Sequence, residues 1–363
     1  MNFQFSNEQQ SLQSEIARQV RSICPAENAM NVMNGDYQQR RLLYKQFANL
    51  GYTSIAFPEE YGGYGMGYLE LCILAKELGR NVVPAPIFSS IYMAAEAILL
   101  YGSAGQKEKY LPKIASGELI ATLAWSEKQI NKGIASTACS YSGGVLNGVK
   151  IPVPDIDLAD LIVVLAKSEF GELVWTLFDC TEAGMKSAPI RMVDDAWPHC
   201  EVQFTNASAE LMPETSSEID EVFYRSAIPL AFEQVGGAEQ CLDMALEYAL
   251  ERKSFGHLIG SYQAIKHKLA DIYASNELAL SHAYYAGWAL SSNNSEIRRA
   301  ASGVRIAATR AYESASSENI HIHGGMGFTW ESICHLYYKR SRMYALSLGS
   351  ERQWNSRLIE SLK

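Results

Sequence analysis

Two glycine-containing breaks carry residues that could do chemistry: Arg252-Lys253-Ser254-Phe255-Gly256 and His323-Gly324-Gly325-Met326-Gly327-Phe328. Each closes a long helical pattern, and Gln263 follows the first at the start of the next pattern. At such ends, free backbone N–H groups and a fixed arginine can face a phosphate-bearing ligand. A guanidinium forks onto two phosphate oxygens, while glycine lets the backbone come close. Taken singly, each break has a plainer explanation. A basic pair after a helix is a favourable C-terminal charge, and a Gly-Gly turn can simply end a helix.

The elements that would position these residues fall into three stretches. Residues 1–118 read as helical. Ser6 suits an N-cap, and Leu12, Ile16, Val20 and Ile23 follow at helical spacing until Pro25. Further helices are expected over 37–49, 67–80, 89–101 and 106–116, with a break at Phe57-Pro58-Glu59-Glu60-Tyr61-Gly62-Gly63. From 119 to 217 the texture is that of strands and turns, as in Leu161-Ile162-Val163-Val164-Leu165 and Val174-Trp175-Thr176-Leu177-Phe178. From 218 to 363 helices return. One is expected over 221–251, and Ser261 would cap the next, with Ile265, Leu269 and Ile272 on one face. Two more fit 295–319 and 354–362, and four in succession suggest an up-down bundle.

The 363 residues leave room for two or three packed units, and 48% hydrophobic with 20% charged residues is ordinary for a globular protein. A net charge of −9 argues against a nucleic-acid partner. Seven cysteines, at 24, 72, 139, 180, 200, 241 and 334, lack metal-ligand or redox spacing, so reduced core thiols and no metal site are expected. No basic and apolar leader opens the sequence, and no apolar run approaches the roughly 20 residues of a membrane span. Cytoplasm is the expected compartment.

Taken together, in this order and between helices of this length, the two breaks resemble the C-terminal domain of the acyl-CoA dehydrogenase family. The resemblance extends from the first helix to Leu362. It implies a mainly α fold with a central small β-domain: a helical N-terminal domain, a β-barrel-like middle domain and a C-terminal four-helix bundle. It also implies FAD, oxidation of the α,β bond of an acyl-CoA thioester, and electron-transferring flavoprotein as acceptor. The residues that carry over as FAD contacts are Arg252, Ser254, Phe255, Gln263, Gly324 and Gly325, with His321 in place of the usual glutamine. In the family these contacts reach the FAD of the neighbouring subunit.

The chain departs from the family at its own site. The flavin loop, close to Thr-Glu-Pro-x-Ala-Gly-Ser-Asp in the family, reads Ser126-Glu127-Lys128-Gln129-Ile130-Asn131-Lys132-Gly133. After Asn147-Gly148-Val149-Lys150, the family's Trp-Ile-Thr is replaced by Pro152-Val153-Pro154, which offers neither hydroxyl nor proline N–H. The catalytic glutamate of Tyr-Glu-Gly-Thr aligns with Leu348 in Ser347-Leu348-Gly349-Ser350, and leucine takes no proton. The alternative family position for that glutamate falls on Ser226. Glu233, roughly 10 Å further along the same helix axis, and Glu351, one turn after Leu348, are the fallback bases.

Three readings follow. The first is a non-catalytic subunit that completes a partner's FAD site in a hetero-oligomer, as the resemblance of Gly327-Phe328-Thr329-Trp330-Glu331 and the residues after it to steroid-handling heteromers implies. The second is a self-sufficient homotetramer with a displaced base, and the third a non-enzymatic thioester-binding scaffold.

Overall fold

The computed structural model describes residues 6–128, 133–213, 218–293 and 295–362. The chain divides into two compact units interleaved along its length: 1–36, 67–84 and 227–363, and 37–66 with 85–226.

The first unit is helical. Helix α1 (Asn7–Ile23) starts as its sequence dictates: Ser6 Oγ accepts from the Gln9 N–H at 3.2 Å and Gln9 Oε1 from the Ser6 N–H at 3.0 Å. Ile16 and Val20 are buried, and the helix stops before Pro25. A short α2 (Glu27–Met33), not expected from the sequence, follows. Helices α4 (Tyr68–Arg80) and α7 (Glu221–Glu251) touch backbone to backbone. A Cβ on Gly79 would stand 2.0 Å from Glu233 O, and one on Gly236 1.9 Å from Lys76 O, so only glycine fits at either place. The contact is framed by ion pairs of Lys76 to Glu239 at 2.8 Å and Arg80 to Asp243 at 2.5 Å.

Around α9 (Ile297–His323), whose buried face is rich in alanine, pack α8 (Gln263–Ser291), α10 (Cys334–Leu346) and α11 (Glu351–Ser361). Here three expectations change. The stretch over 295–319 runs on to His323, and α10 was not expected at all. Ser261 does not cap α8: its hydroxyl donates to Leu258 O at 2.6 Å, and α8 begins after Tyr262 with no side-chain cap.

The second unit holds α3 (Gln38–Asn49), a π-helical stretch Phe88–Ala95 that continues as α5 (Glu96–Tyr101), α6 (Ala104–Ala115) and the sheet. The strands are β1 (Ala121–Ala124), β2 (Ser140–Ser142), β3 (Val145–Pro154), β4 (Leu161–Ser168), β5 (Leu173–Asp179), β6 (Met185–Ile190), β7 (His199–Ser208) and β8 (Glu210–Leu211). Their order is β6-β7-β3-β2-β4-β5-β8, with β1 parallel to β4. The unbroken apolar run of β4 is buried throughout, as a strand covered on both faces should be. Buried Arg40 on α3 clamps this unit by pairing with Asp155 and, at 2.6 Å, with Asp157. Ser89 Oγ at 2.5 Å and Trp197 Nε1 at 3.1 Å complete the shell of Asp155.

Candidate functional site

Beyond the end of α7, Lys253–Ser254 (β9) and His257–Leu258 (β10) pair antiparallel with Ser254 opposite His257. Phe255-Gly256 is therefore a two-residue turn, and both residues have positive φ, 50° and 81°, as a type I′ hairpin requires. Glycine is at ease there. Phenylalanine is not, and the left-handed conformation costs it roughly 1–2 kcal/mol. Its ring meanwhile is 94% exposed. The strained backbone thus projects a bare aromatic ring. The hairpin is held by Ile259 N–H to Arg252 O at 2.8 Å and Tyr262 Oη to Ser254 O at 2.9 Å.

Two contacts gather the other expected residues at the same end of the bundle. Tyr248, in the last turn of α7, stacks on His323 at the end of α9 with ring centroids 4.3 Å apart. Lys268, early in α8, pairs with Glu318 at 2.5 Å and lies 3.3 Å from His321 Nδ1. Arg252, Gln263, His321, Gly324 and Gly325 thus sit within a turn or so of these ties, and all five are exposed. Among the described residues, neither the Arg252 guanidinium nor the Gln263 amide has a side-chain partner. Around Gly324 and Gly325 a Cβ would meet nothing within 4 Å. Tyr248 and Lys268, with His323 of the second break, do the positioning; Tyr248 and Lys268 were not singled out in the sequence, where the Glu318–His321 spacing was the available signal.

Leu348, where the family places its base, lies between α10 and α11 and is fully buried. The Ser226 hydroxyl is held 2.5 Å from Tyr92 O and 2.6 Å from Val222 O. Buried Glu233 accepts the phenol hydrogen of Tyr344, one turn before Leu348. Burial and the Glu233 charge push that phenol well above its usual range, so it stays a donor. Arg340 Nη1 donates to Tyr344 Oη at 3.3 Å and to Val83 O at 3.2 Å. Glu351 opens α11 and is engaged by Arg310, whose Nε lies 2.9 Å away.

In the sheet-containing unit, Glu127 accepts the N–H groups of Ala138 at 2.8 Å and Cys139 at 3.0 Å, and pairs with buried Lys150 at 2.7 Å. Burial would raise its carboxyl, but Lys150 and the two N–H groups outweigh this and hold it below the usual range. Gln129, Ile130, Asn131 and Lys132 lie outside the described residues. The Ile151–Pro152 bond is cis, and the Ile151 N–H is already spent on Ser126 O at 2.8 Å. Ser126 Oγ is buried with no hydrogen-bond partner among the described residues.

A family model described as the acyl-CoA dehydrogenase N-terminal domain matches residues 6–118, and one described as the C-terminal domain matches 218–357. The acyl-CoA dehydrogenase IpdE2 of Mycobacterium tuberculosis is 31% identical over 88% of this chain and 84% of its own length. This chain belongs to the acyl-CoA dehydrogenase family. The mitochondrial isovaleryl-CoA dehydrogenase of Solanum tuberosum is 29% identical over 85% of this chain and 79% of its own. Among solved structures, the Tcur3481-Tcur3483 steroid acyl-CoA dehydrogenase variant superposes with TM-score 0.88 at 26% identity, covering 98% of this chain and 97% of that one. The ChsE4-ChsE5 complex of Mycobacterium tuberculosis shares the fold, with TM-score 0.90 at 22% identity over 100% of this chain and 99% of that one.

Acyl-CoA dehydrogenases are FAD-dependent oxidoreductases acting on CH–CH bonds, and the bundle end fits that cofactor. It offers a guanidinium and an amide without side-chain partners among the described residues, and two open glycines. The sheet-containing unit fits it less well. Its orphaned Ser126 hydroxyl could serve a ligand, but Pro152 supplies no donor. Among the described residues no helix is long and apolar enough to cross a membrane.

Proposed function

We propose that this acyl-CoA dehydrogenase chain is the non-catalytic subunit of a hetero-oligomer and completes the FAD site of a second family member. The observation that carries this reading is the fully buried leucine at position 348, with no carboxylate in its place. FAD, when bound, accepts the hydride from the β-carbon of an acyl-CoA. Arg252, Ser254, Phe255, Gln263, His321, Gly324 and Gly325 would grip the partner's cofactor through charge-assisted and backbone hydrogen bonds. The α-proton needs a base, which the partner would supply. The apolar side chains exposed near the same end, Leu250, Phe255, Met326 and Phe328, suit a subunit contact. Two structural neighbours, Tcur3481-Tcur3483 and ChsE4-ChsE5, are named as pairs, which supports an assembly of this kind. Electron-transferring flavoprotein is the proposed acceptor and the cytoplasm the proposed compartment.

The test is expression of the chain alone and together with a second family member that carries the glutamate. Flavin is expected to co-purify only with the pair. A yellow isolated chain that reduces its flavin on adding an acyl-CoA would overturn the proposal.

A second reading has one observation in its favour. The carboxylate of Glu233 touches Tyr344, one turn from Leu348, and could act as a displaced base. Glu351 serves that reading less well, since Arg310 already engages it. Under the subunit reading Glu233→Gln leaves the turnover of the assembled enzyme within about twofold. A fall of about a hundredfold or more, of the size expected for loss of a general base, would favour the displaced base instead.

A further inference from the structure

We infer that the helical unit carries a binding site for a soft monovalent cation, Cu(I), held by Cys241 and Met244 of α7 and by Cys334 at the start of α10. Cys241 and Cys334 are free thiols on helices far apart in the sequence, which is why no metal-ligand spacing shows along the chain.

The side chain of Asn319, on α9, marks where the three sulfurs meet. Its amide nitrogen lies 4.0 Å from Met244 Sδ, and the same side chain hydrogen-bonds the sulfurs of Cys241 and Cys334. Asn319 and both cysteines are buried, while Met244 is partly exposed and gives an ion a way in. The Asn319 side-chain oxygen has no hydrogen-bond partner among the described residues. Burying an amide in that state is costly, and a core that needed only bulk would be better served by an apolar side chain. What the amide does supply is an N–H that favours the charged form of both thiols, the form that ligates a metal. The cluster sits one turn below the Tyr248–His323 stack. Met244 precedes Tyr248 by a turn, and Asn319 O lies 2.9 Å from His323 Nδ1.

The ligand set selects the ion. Two thiols and a thioether are soft donors, and such donors favour Cu(I). No three His, Cys, Asp or Glu side chains are grouped to hold a metal among the described residues, so a hard ion or a four-coordinate Zn(II) lacks its ligands here. The surroundings are aromatic, with buried Tyr312 and Tyr337 close enough to Cys241 to feel its charge. Burial pushes both thiols above their usual range, so they stay protonated until a metal displaces the hydrogen. On binding, each ligating thiol releases its proton to solvent, and the copper remains Cu(I) throughout.

Titration of the reduced full-length chain with Cu(I) under argon, against bicinchoninate as competing chelator, tests this. The chain should withdraw one equivalent from the chelator. Cys241→Ser should weaken that binding by about tenfold or more at unchanged circular dichroism. Cys180→Ser, at a cysteine that is only partly buried, should leave it as it was. Two readouts need no variant to fold: X-ray absorption of the copper-loaded, unsubstituted chain should show a first shell of sulfur alone, and the Met244 methyl resonance should move on loading. Copper left with the chelator, nitrogen or oxygen in the first shell, or an unmoved Met244 methyl would overturn the inference. So would an equal loss in Cys180→Ser, which would assign the copper to an accessible thiol.

Discussion

The hairpin tip sets stability against assembly, and Phe255→Asn separates the two. Phe255 has φ of +50° and is 94% exposed, so its ring buries almost no surface within the chain. Replacing it forfeits almost no hydrophobic stabilisation in the isolated chain. Asparagine accepts the left-handed region, and Asn-Gly is the favoured pair for a type I′ turn. Relief of the strain should therefore stabilise the isolated chain by about 1 kcal/mol. In the assembled enzyme the sign reverses. A phenylalanine ring buried by a partner contributes about 1.5–3 kcal/mol, so its loss should weaken association by roughly tenfold or more. Denaturant titration of the isolated chain and sedimentation of the pair measure the two effects separately. A variant that is less stable alone, or that assembles as well as the unsubstituted chain, would refute the idea that strain is kept at this tip for the sake of a partner.

Further outcomes follow from other parts of the chain. Leu348 is a fully buried core side chain, so Leu348→Ala should destabilise the first unit by about 2–5 kcal/mol in denaturant titration. A neutral result would mean that position 348 faces an open site. Glu127 has its carboxyl held below the ordinary range, so the stability it adds is full above the unfolded value near 4.3. That stability is lost as pH falls through the depressed folded value. The stability gap between the unsubstituted chain and Glu127→Gln should accordingly be flat above about pH 5 and close below about pH 4, as read by denaturant titration across that range.

Local chemistry explains what was legible in the sequence. The Ser6–Gln9 capping box and Pro25 bracket α1, and the long apolar periodicity from 221 to 251 delimits α7. The run at 161–165 reads as a strand between its turn residues, and β4 is that strand. Helix α2 was missed because it is short and has no side-chain cap. Helix α10 was missed because Arg340 and Ser341 are buried among its apolar positions, which blurs the helical period. Ser261 misled because a hydroxyl near a helix start can serve the preceding turn instead. At the candidate site the motif residues could be named only through the resemblance to the family's motifs. The Tyr248–His323 stack and the Lys268–Glu318 pair that gather them join distant segments, and local sequence carries no sign of such pairings.

The flavin count per chain tests the central proposal most directly. With the pair purified and its FAD released and quantified, the predicted result is one FAD for each partner chain and none attributable to this chain, which is colourless when purified alone. One FAD per copy of the isolated chain, bleached by an acyl-CoA, would contradict it.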